Sequence, residues 1–407
     1  MKDKTLIFSL FILTKNNALI AGFSYVLTIT LANILGPEIF GKYSLVLVIA
    51  SILSIFINYG TDQTAPVMAA KKGIRSILLE TVFIRFIMLS LSVFFLSIYA
   101  TYSPDMAFYI LCLIFTGINL GFFYEISSKN ELYSYVYLFE RAMYIGSVFF
   151  VIYFLNVSLD IVFTLLLLST LASLIFQFNR AHHEYNKLFL INWKSLKEIL
   201  LINMPLVIIA LSVFSFGGFS RIILEDSLGL EKMGIYSAGW QLITIGTIFQ
   251  SQVTRVWRLK ISVAIEKNDK KQLIPLVKSY LIFATLPFIA LTMILFFTSE
   301  QVVQILFSKE YFELVHVLPV LSIYYLVINI AGLVEILWVA VGRNKIYMYI
   351  NITFGLLLLM LLTFISKEAS LIDFALSTIV VHMLMVVVLL IVWYKKFSRI
   401  LILKKRY

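Results

Sequence analysis

The chain has 407 residues, of which 61% are hydrophobic and only 14% charged, with a formal net charge of +11. A soluble domain carries about 25% charge, so this composition excludes a water-soluble protein and predicts an integral membrane protein. The cationic excess needs no nucleic-acid partner, because cationic inner loops lie against an anionic leaflet.

The apolar runs are about 20 residues long, the length of a helix crossing ~30 Å of hydrocarbon, and not the alternating ~10-residue segments of an outer-membrane barrel. At the start, Lys2 and Lys4 precede the apolar Thr5 to Leu13. No small-residue cleavage site follows before Lys15-Asn16-Asn17, so the segment reads as retained and not as a signal peptide. Twelve transmembrane segments are predicted, at about 13–35, 43–68, 77–100, 106–126, 132–155, 160–179, 198–223, 235–256, 275–298, 314–341, 346–366 and 371–394. With the N-terminus inside, the cytoplasmic segments hold 26 of the 33 Lys and Arg, whereas the outer loops hold only Lys42, Lys232, Lys309 and Lys367. This asymmetry places both termini in the cytoplasm.

A repeat organises the chain. Leu35-Gly36-Pro37-Glu38-Ile39-Phe40-Gly41-Lys42-Tyr43-Ser44 is echoed by Leu228-Gly229-Leu230-Glu231-Lys232-Met233-Gly234-Ile235-Tyr236-Ser237, identical at six of ten positions with an offset of 193. The expected fold is therefore all-α: two parallel six-helix repeats around a central cavity. The predicted divisions are an N-terminal lobe at 1–180, a cytoplasmic linker at 181–197, a C-terminal lobe at 198–394 and a basic tail at 395–407.

The offset pairs residues of the helices that follow each turn. Ser44, Ser51, Ser54, Asn58 and Asp62 correspond to Ser237, Thr244, Thr247, Ser251 and Arg255. Each set falls on one helix face. A polar face in lipid turns toward other helices or a watery cavity. Two readings stand: these residues line a substrate cavity, or their small hydroxyls let helices pack closely and bond their own backbones. Asn17, Ser24 and Thr28 on the first helix would extend the same wall, or serve close helix packing. Asp62 and Arg255 would form an inner gate if they meet; otherwise they are charges at solvated helix ends.

Ionisable residues deeper in the apolar runs are Arg85, Glu140, Arg141, Glu335 and His382. Each reads as a member of a buried ion pair or hydrogen bond, with proton exchange by Glu335 or His382 the functional alternative. The lone Cys112, inside an apolar run, reads as a small buried hydrophobe. There is no phosphate-cradling G-x-x-x-x-G-K-[ST] motif, and His182-His183 lacks a third ligand, so neither a built-in ATPase, a metal site nor a cofactor is expected.

Several stretches carry a family resemblance. Ala32 to Ser44, Asn58-Tyr59-Gly60, Ser220-Arg221, Leu228 to Ser237, Arg255-Val256-Trp257, Leu306 to Tyr311 and Val341-Gly342-Arg343 resemble the bacterial O-antigen and polysaccharide flippases. These belong to the multidrug/oligosaccharidyl-lipid/polysaccharide exporter superfamily. Two positions depart from the pattern: Leu230 stands where Pro37 keeps a proline, and Ser220 where an acid is common.

The resemblance implies a transporter without covalent chemistry. Its substrate would be an undecaprenyl-diphosphate-linked oligosaccharide, such as a unit of O-antigen in lipopolysaccharide biosynthesis, moved from the inner to the outer leaflet of the bacterial inner membrane. Lys15, Arg255 and Arg258 are then the cations for the diphosphate. The partners implied are that lipid-linked oligosaccharide, anionic membrane lipids, H+ or Na+ as coupling ion, and a polysaccharide polymerase with its chain-length regulator. The alternatives are a drug or lipid-precursor exporter of the same superfamily, and a membrane polysaccharide polymerase.

Overall fold

The computed structural model describes residues 2–72, 74–127, 129–184, 192–267, 269–341, 344–366 and 368–403. Every regular element among them is helical. They are α1 (Lys2–Asn58), α2 (Thr61–Lys72), α3 (Ile74–Tyr99), α4 (Pro104–Ile114), α5 (Gly121–Ile126), α6 (Asn130–Phe154), α7 (Leu159–Glu184), α8 (Trp193–Phe214) and α9 (Ser220–Glu266). The chain continues through α10 (Lys270–Phe297), α11 (Ser299–Leu306), α12 (Leu314–Ser322), α13 (Tyr324–Val341), α14 (Asn344–Ile365) and α15 (Leu371–Leu403). Short 3-10 turns extend α4 and precede α12, and a π turn at Ser215–Phe219 joins α8 to α9.

Among the described residues, ten helical stretches are long and apolar enough to cross a membrane. Their outward faces explain why water is excluded as the solvent. On α10, Ile274, Ile282, Phe283, Leu286 and Met293 are all exposed. In water this continuous apolar surface would drive aggregation; against lipid it is simply solvated.

Two stretches, Lys15–Pro66 and Trp193–Thr244, run for 52 residues each. At ~1.5 Å per residue this is more than twice the hydrocarbon thickness. Each is interrupted by one glycine of the repeat, Gly36 at φ 70° and Gly229 at φ 85°, a backbone region that glycine enters without a side-chain clash. After Gly36 the next helical stretch opens on Pro37, whose missing N–H matters least in a first turn.

Where a single segment was expected at about 43–68, the helix breaks at Tyr59 and Gly60, at φ 49° and 68°. The expected segment at about 106–126 breaks at Asn119–Leu120, and that at about 314–341 breaks at Ile323. The apolar pattern runs through all three. The first two are compensated by polar side chains, described below.

The chain forms two compact units: Met1–Leu35 with Tyr43–Leu211, and Gly36–Lys42 with Ser212–Tyr407. The first is centred on Ala65, Ile77, Ile84, Leu120, Phe123 and Ile199. The second includes a cluster of Ile261, Ala264, Leu273, Tyr280, Ala284 and Ile336.

Segment 36–42 thus belongs to the second unit, where it meets the other copy of the repeat. A Cβ at Gly41 would lie 1.9 Å from the Leu230 carbonyl oxygen, and one at Gly234 would lie 1.8 Å from the Pro37 carbonyl oxygen. Pro37 and Leu230 are repeat equivalents, as are Gly41 and Gly234, so the two turns touch through reciprocal contacts, the mark of a local two-fold. The first glycine of each copy makes the break. The second lets the backbones touch.

Candidate functional site

The first unit holds a buried polar network around Arg85 on α3. Arg85 is fully buried. Its Nε and Nη2 donate to Thr61 Oγ1 at 2.9 and 2.7 Å, and Nη2 also reaches Asp62 Oδ1 at 2.6 Å. Nη1 donates to the Asn119 carbonyl, and the guanidinium carbon lies 4.7 Å from the centre of the Phe122 ring. One side chain thereby holds both breaks of this unit, Tyr59–Gly60 and Asn119–Leu120.

Other backbone groups of those breaks are met by side chains as well. Asn119 Oδ1 accepts from Gly121 N at 3.1 Å, and Gln177 Oε1 accepts from Leu120 N at 2.8 Å. Thr61 Oγ1 donates to the Asn58 carbonyl at 2.6 Å, while Asn58 bonds the Asp62 carboxylate. Irregular backbone at membrane depth requires this kind of replacement, since lipid supplies no hydrogen bonds.

Asp62, expected opposite Arg255, is engaged by Arg85. The side chains of Arg255 and Ser251 lie outside the described residues. Lys15 is exposed, whereas Asn17, Ser24, Thr28 and Ser54 are half-buried and Ser51 is exposed. Thr28 donates to the Ser24 carbonyl at 2.8 Å, Ser51 to Leu47 at 2.7 Å, Thr244 to Trp240 at 3.0 Å and Thr247 to Thr244 at 2.7 Å. These hydroxyl protons are held by their own helices, which leaves oxygen lone pairs able to accept a further hydrogen bond. Glu140 is buried with Thr170 Oγ1 at 3.5 Å from Oε1, and Arg141 lies 5.1 Å over the Tyr137 ring.

In the second unit, Arg258 and Glu335 form a pair. Arg258 Nη2 lies 2.8 Å from Glu335 Oε1, and the side chains are 47% and 43% exposed. Arg258 follows Thr244 and Thr247 along the same face of α9. His382, by contrast, is buried, with Nδ1 2.8 Å from the Tyr324 hydroxyl and its ring stacked 4.3 Å from that of Phe216. A cavity of about 600 Å³ between α9 and α10 is lined by Lys260, Val263, Lys271, Gln272, Pro275 and Leu276.

Sequence reasoning missed Asn119, Thr61 and Gln177. For Asn119 a signal was present: Gly117-Ile118-Asn119-Leu120-Gly121 places an amide between two glycines inside an apolar run, a helix-breaking composition.

Broken spanning helices, backbone groups met by side chains and polar faces within an apolar chain define a multi-pass membrane protein. Solved structures agree on the fold. An inward-facing multidrug resistance MATE family transporter of the MOP superfamily superposes with a TM-score of 0.78 at 13% identity, covering 95% of this chain and 96% of that one. An outward-facing MATE family transporter gives 0.67 at 14% identity, with 98% and 96% covered. A MOP superfamily transporter from Pyrococcus furiosus gives 0.66 at 13% identity, with 96% and 94% covered. The profile of the family described as "Polysaccharide biosynthesis protein" matches residues 8–257. The chain belongs to that family. No curated protein sequence matches it.

Proposed function

We propose that the protein moves an undecaprenyl-diphosphate-linked oligosaccharide, of the O-antigen or related surface-polysaccharide type, from the inner to the outer leaflet of the bacterial inner membrane by alternating access. Family membership supports a polysaccharide role, and the MOP fold supports transport in place of catalysis. Counting each 52-residue stretch as two crossings gives the twelve of the proposed topology, with both ends cytoplasmic. The observation that carries the substrate reading is Arg258, a half-exposed guanidinium ending a polar face on α9. Sugar hydroxyls need acceptors such as those of Thr244 and Thr247, and a diphosphate needs a planar cationic donor.

Arg255 and Lys15 are proposed as further diphosphate contacts, and Asn17, Ser24, Thr28, Ser51, Ser54, Asn58 and Ser251 as the rest of the sugar path. Anionic lipids are proposed at the cavity lined by Lys260 and Lys271. A proton or sodium ion would drive the cycle, and a polymerase with its chain-length regulator would consume the product.

Cells lacking the protein are expected to accumulate lipid-linked glycan that an external probe cannot label, and the wild-type chain to restore labelling. Arg258→Ala should restore roughly ten- to a hundredfold less, the effect of one lost charge-assisted hydrogen bond of about 1.5–3 kcal/mol. Full restoration by Arg258→Ala removes this residue from the site. The fold's multidrug relatives keep a second reading open: export of a cationic drug in place of glycan accumulation would establish it.

A further inference from the structure

The two units treat their arginine–carboxylate pairs in opposite ways. Arg85 is fully buried, held by Thr61, Asp62, the Asn119 carbonyl and the Phe122 ring. Buried and held by several groups at once, Arg85 is fixed in place, although its carboxylate partner Asp62 is 42% exposed. Arg258 and Glu335 share one bond, Nη2 to Oε1, with nearly half of each side chain exposed. A pair of that kind is weak and its partners exchange readily.

Beneath the second pair, Gly332 on α13 faces side chains of α9: a Cβ there would lie 1.6 Å from Gln250 Nε2 and 3.1 Å from Thr254 Oγ1. About one helical turn further along each helix come Glu335 and Arg258, which this contact places at about one level.

We propose that Glu335 is the resident anion of the Arg258 site, a carboxylate that the diphosphate of the substrate displaces on binding and that returns on release. The inference rests on the substrate reading above. A diphosphate brings more charge than a carboxylate and engages the guanidinium fork through two oxygens, whereas Glu335 uses one. Glu335 also serves the empty carrier. A guanidinium without an anion is costly to carry through a conformational change in a membrane, and a paired one is far less so.

Two opposite effects follow from one substitution. Glu335→Gln keeps the shape, frees Arg258 and removes a negative charge from beside the ligand. Binding of a short-chain prenyl diphosphate to the purified full-length protein in lipid nanodiscs is expected to tighten about fivefold (about 1 kcal/mol). Turnover at saturating substrate, measured in vesicles, is expected to fall, because the empty carrier now returns with an unpaired Arg258. Arg258→Gln should weaken binding at least tenfold, and the double variant should bind no better than Arg258→Gln alone.

Inorganic pyrophosphate, tested in parallel, should show the same relative gain in Glu335→Gln, since exchange occurs at the diphosphate. A gain confined to the prenyl compound overturns the proposal by assigning the effect to the lipid chain. So does unchanged or weaker binding by Glu335→Gln, or the same gain in the double variant. Wild-type protein that binds no diphosphate overturns the substrate reading together with this one; a wild type that binds, with Glu335→Gln unaffected, overturns this one alone.

Discussion

Gly41→Ala is expected to cost about 3 kcal/mol or more and with it most of the folded yield. The added carbon would lie 1.9 Å from the Leu230 carbonyl oxygen and 2.8 Å from its carbon, both backbone atoms that no rotamer change moves aside. Forcing one methyl into a packed interior costs about 1–3 kcal/mol when side chains adjust, and here the two helix starts must separate. Gly234→Ala should behave alike, since its Cβ meets the Pro37 carbonyl at 1.8 Å. The controls are Gly22→Ala and Gly146→Ala, whose added carbons meet nothing within 4 Å. Those are expected to be neutral or up to ~1 kcal/mol stabilising, as alanine is in a helix. The fraction of monodisperse protein after detergent extraction, and the midpoint of thermal unfolding, distinguish the pairs. Wild-type behaviour by Gly41→Ala would dismiss the reciprocal contact between the two turns.

Arg85→Ala is the second large effect, about 3–5 kcal/mol, the loss that follows when one member of a buried charged network is removed. The deletion leaves the Asn119 carbonyl without its donor and Asp62 without its cation at two points where the helices are already broken. Arg85→Lys should recover little, because one ammonium on a flexible stem cannot reach Thr61, Asp62 and Asn119 together. Asp62→Asn should be milder than Arg85→Ala: the Asp62 side chain is 42% exposed, and Thr61 and Asn119 still hold the guanidinium. Hydrogen exchange around residues 59–62 and 117–121 is the direct readout, with protection lost at both breaks in Arg85→Ala. Loss at one break only would show that Arg85 does not couple them.

Membrane residence and the repeat were legible because each rests on local chemistry. Composition alone excluded water, and a glycine at positive φ followed by a glycine at a backbone contact left the same spacing twice, at Gly36 and Gly41 and again at Gly229 and Gly234. The pairing of charges was not legible. Asp62 meets Arg85 across 23 residues, Arg85 meets Asn119 across 34, and Arg258 meets Glu335 across 77, and helical periodicity carries no information at such separations. An internal offset suggested Arg255 for Asp62 because repeat symmetry relates positions; side chains choose partners by reach. The breaks at Gly60 and Asn119 escaped for a related reason. Hydropathy registers how apolar a run is, whereas a break survives there only because Thr61, Gln177 and Arg85, distant in sequence, replace the missing backbone bonds.

The contrast between the two arginines also divides the candidate residues by role. Arg85, bound to Thr61, Asp62 and the Asn119 carbonyl, builds the first unit. Arg258, paired among the described residues with the half-exposed Glu335, is the side chain proposed to meet a ligand, together with the oxygens of Thr244 and Thr247 along the same face of α9.

The central claim is transport of a diphosphate-linked glycan, and purified protein in vesicles tests it most directly. With a fluorescent prenyl-diphosphate oligosaccharide confined to the inner leaflet, wild-type protein is expected to expose the glycan to an impermeant glycosidase. Arg258→Ala should expose it at least tenfold more slowly. Equal exposure in protein-free vesicles, or exposure of a prenyl monophosphate glycan as fast as the diphosphate, would contradict the account.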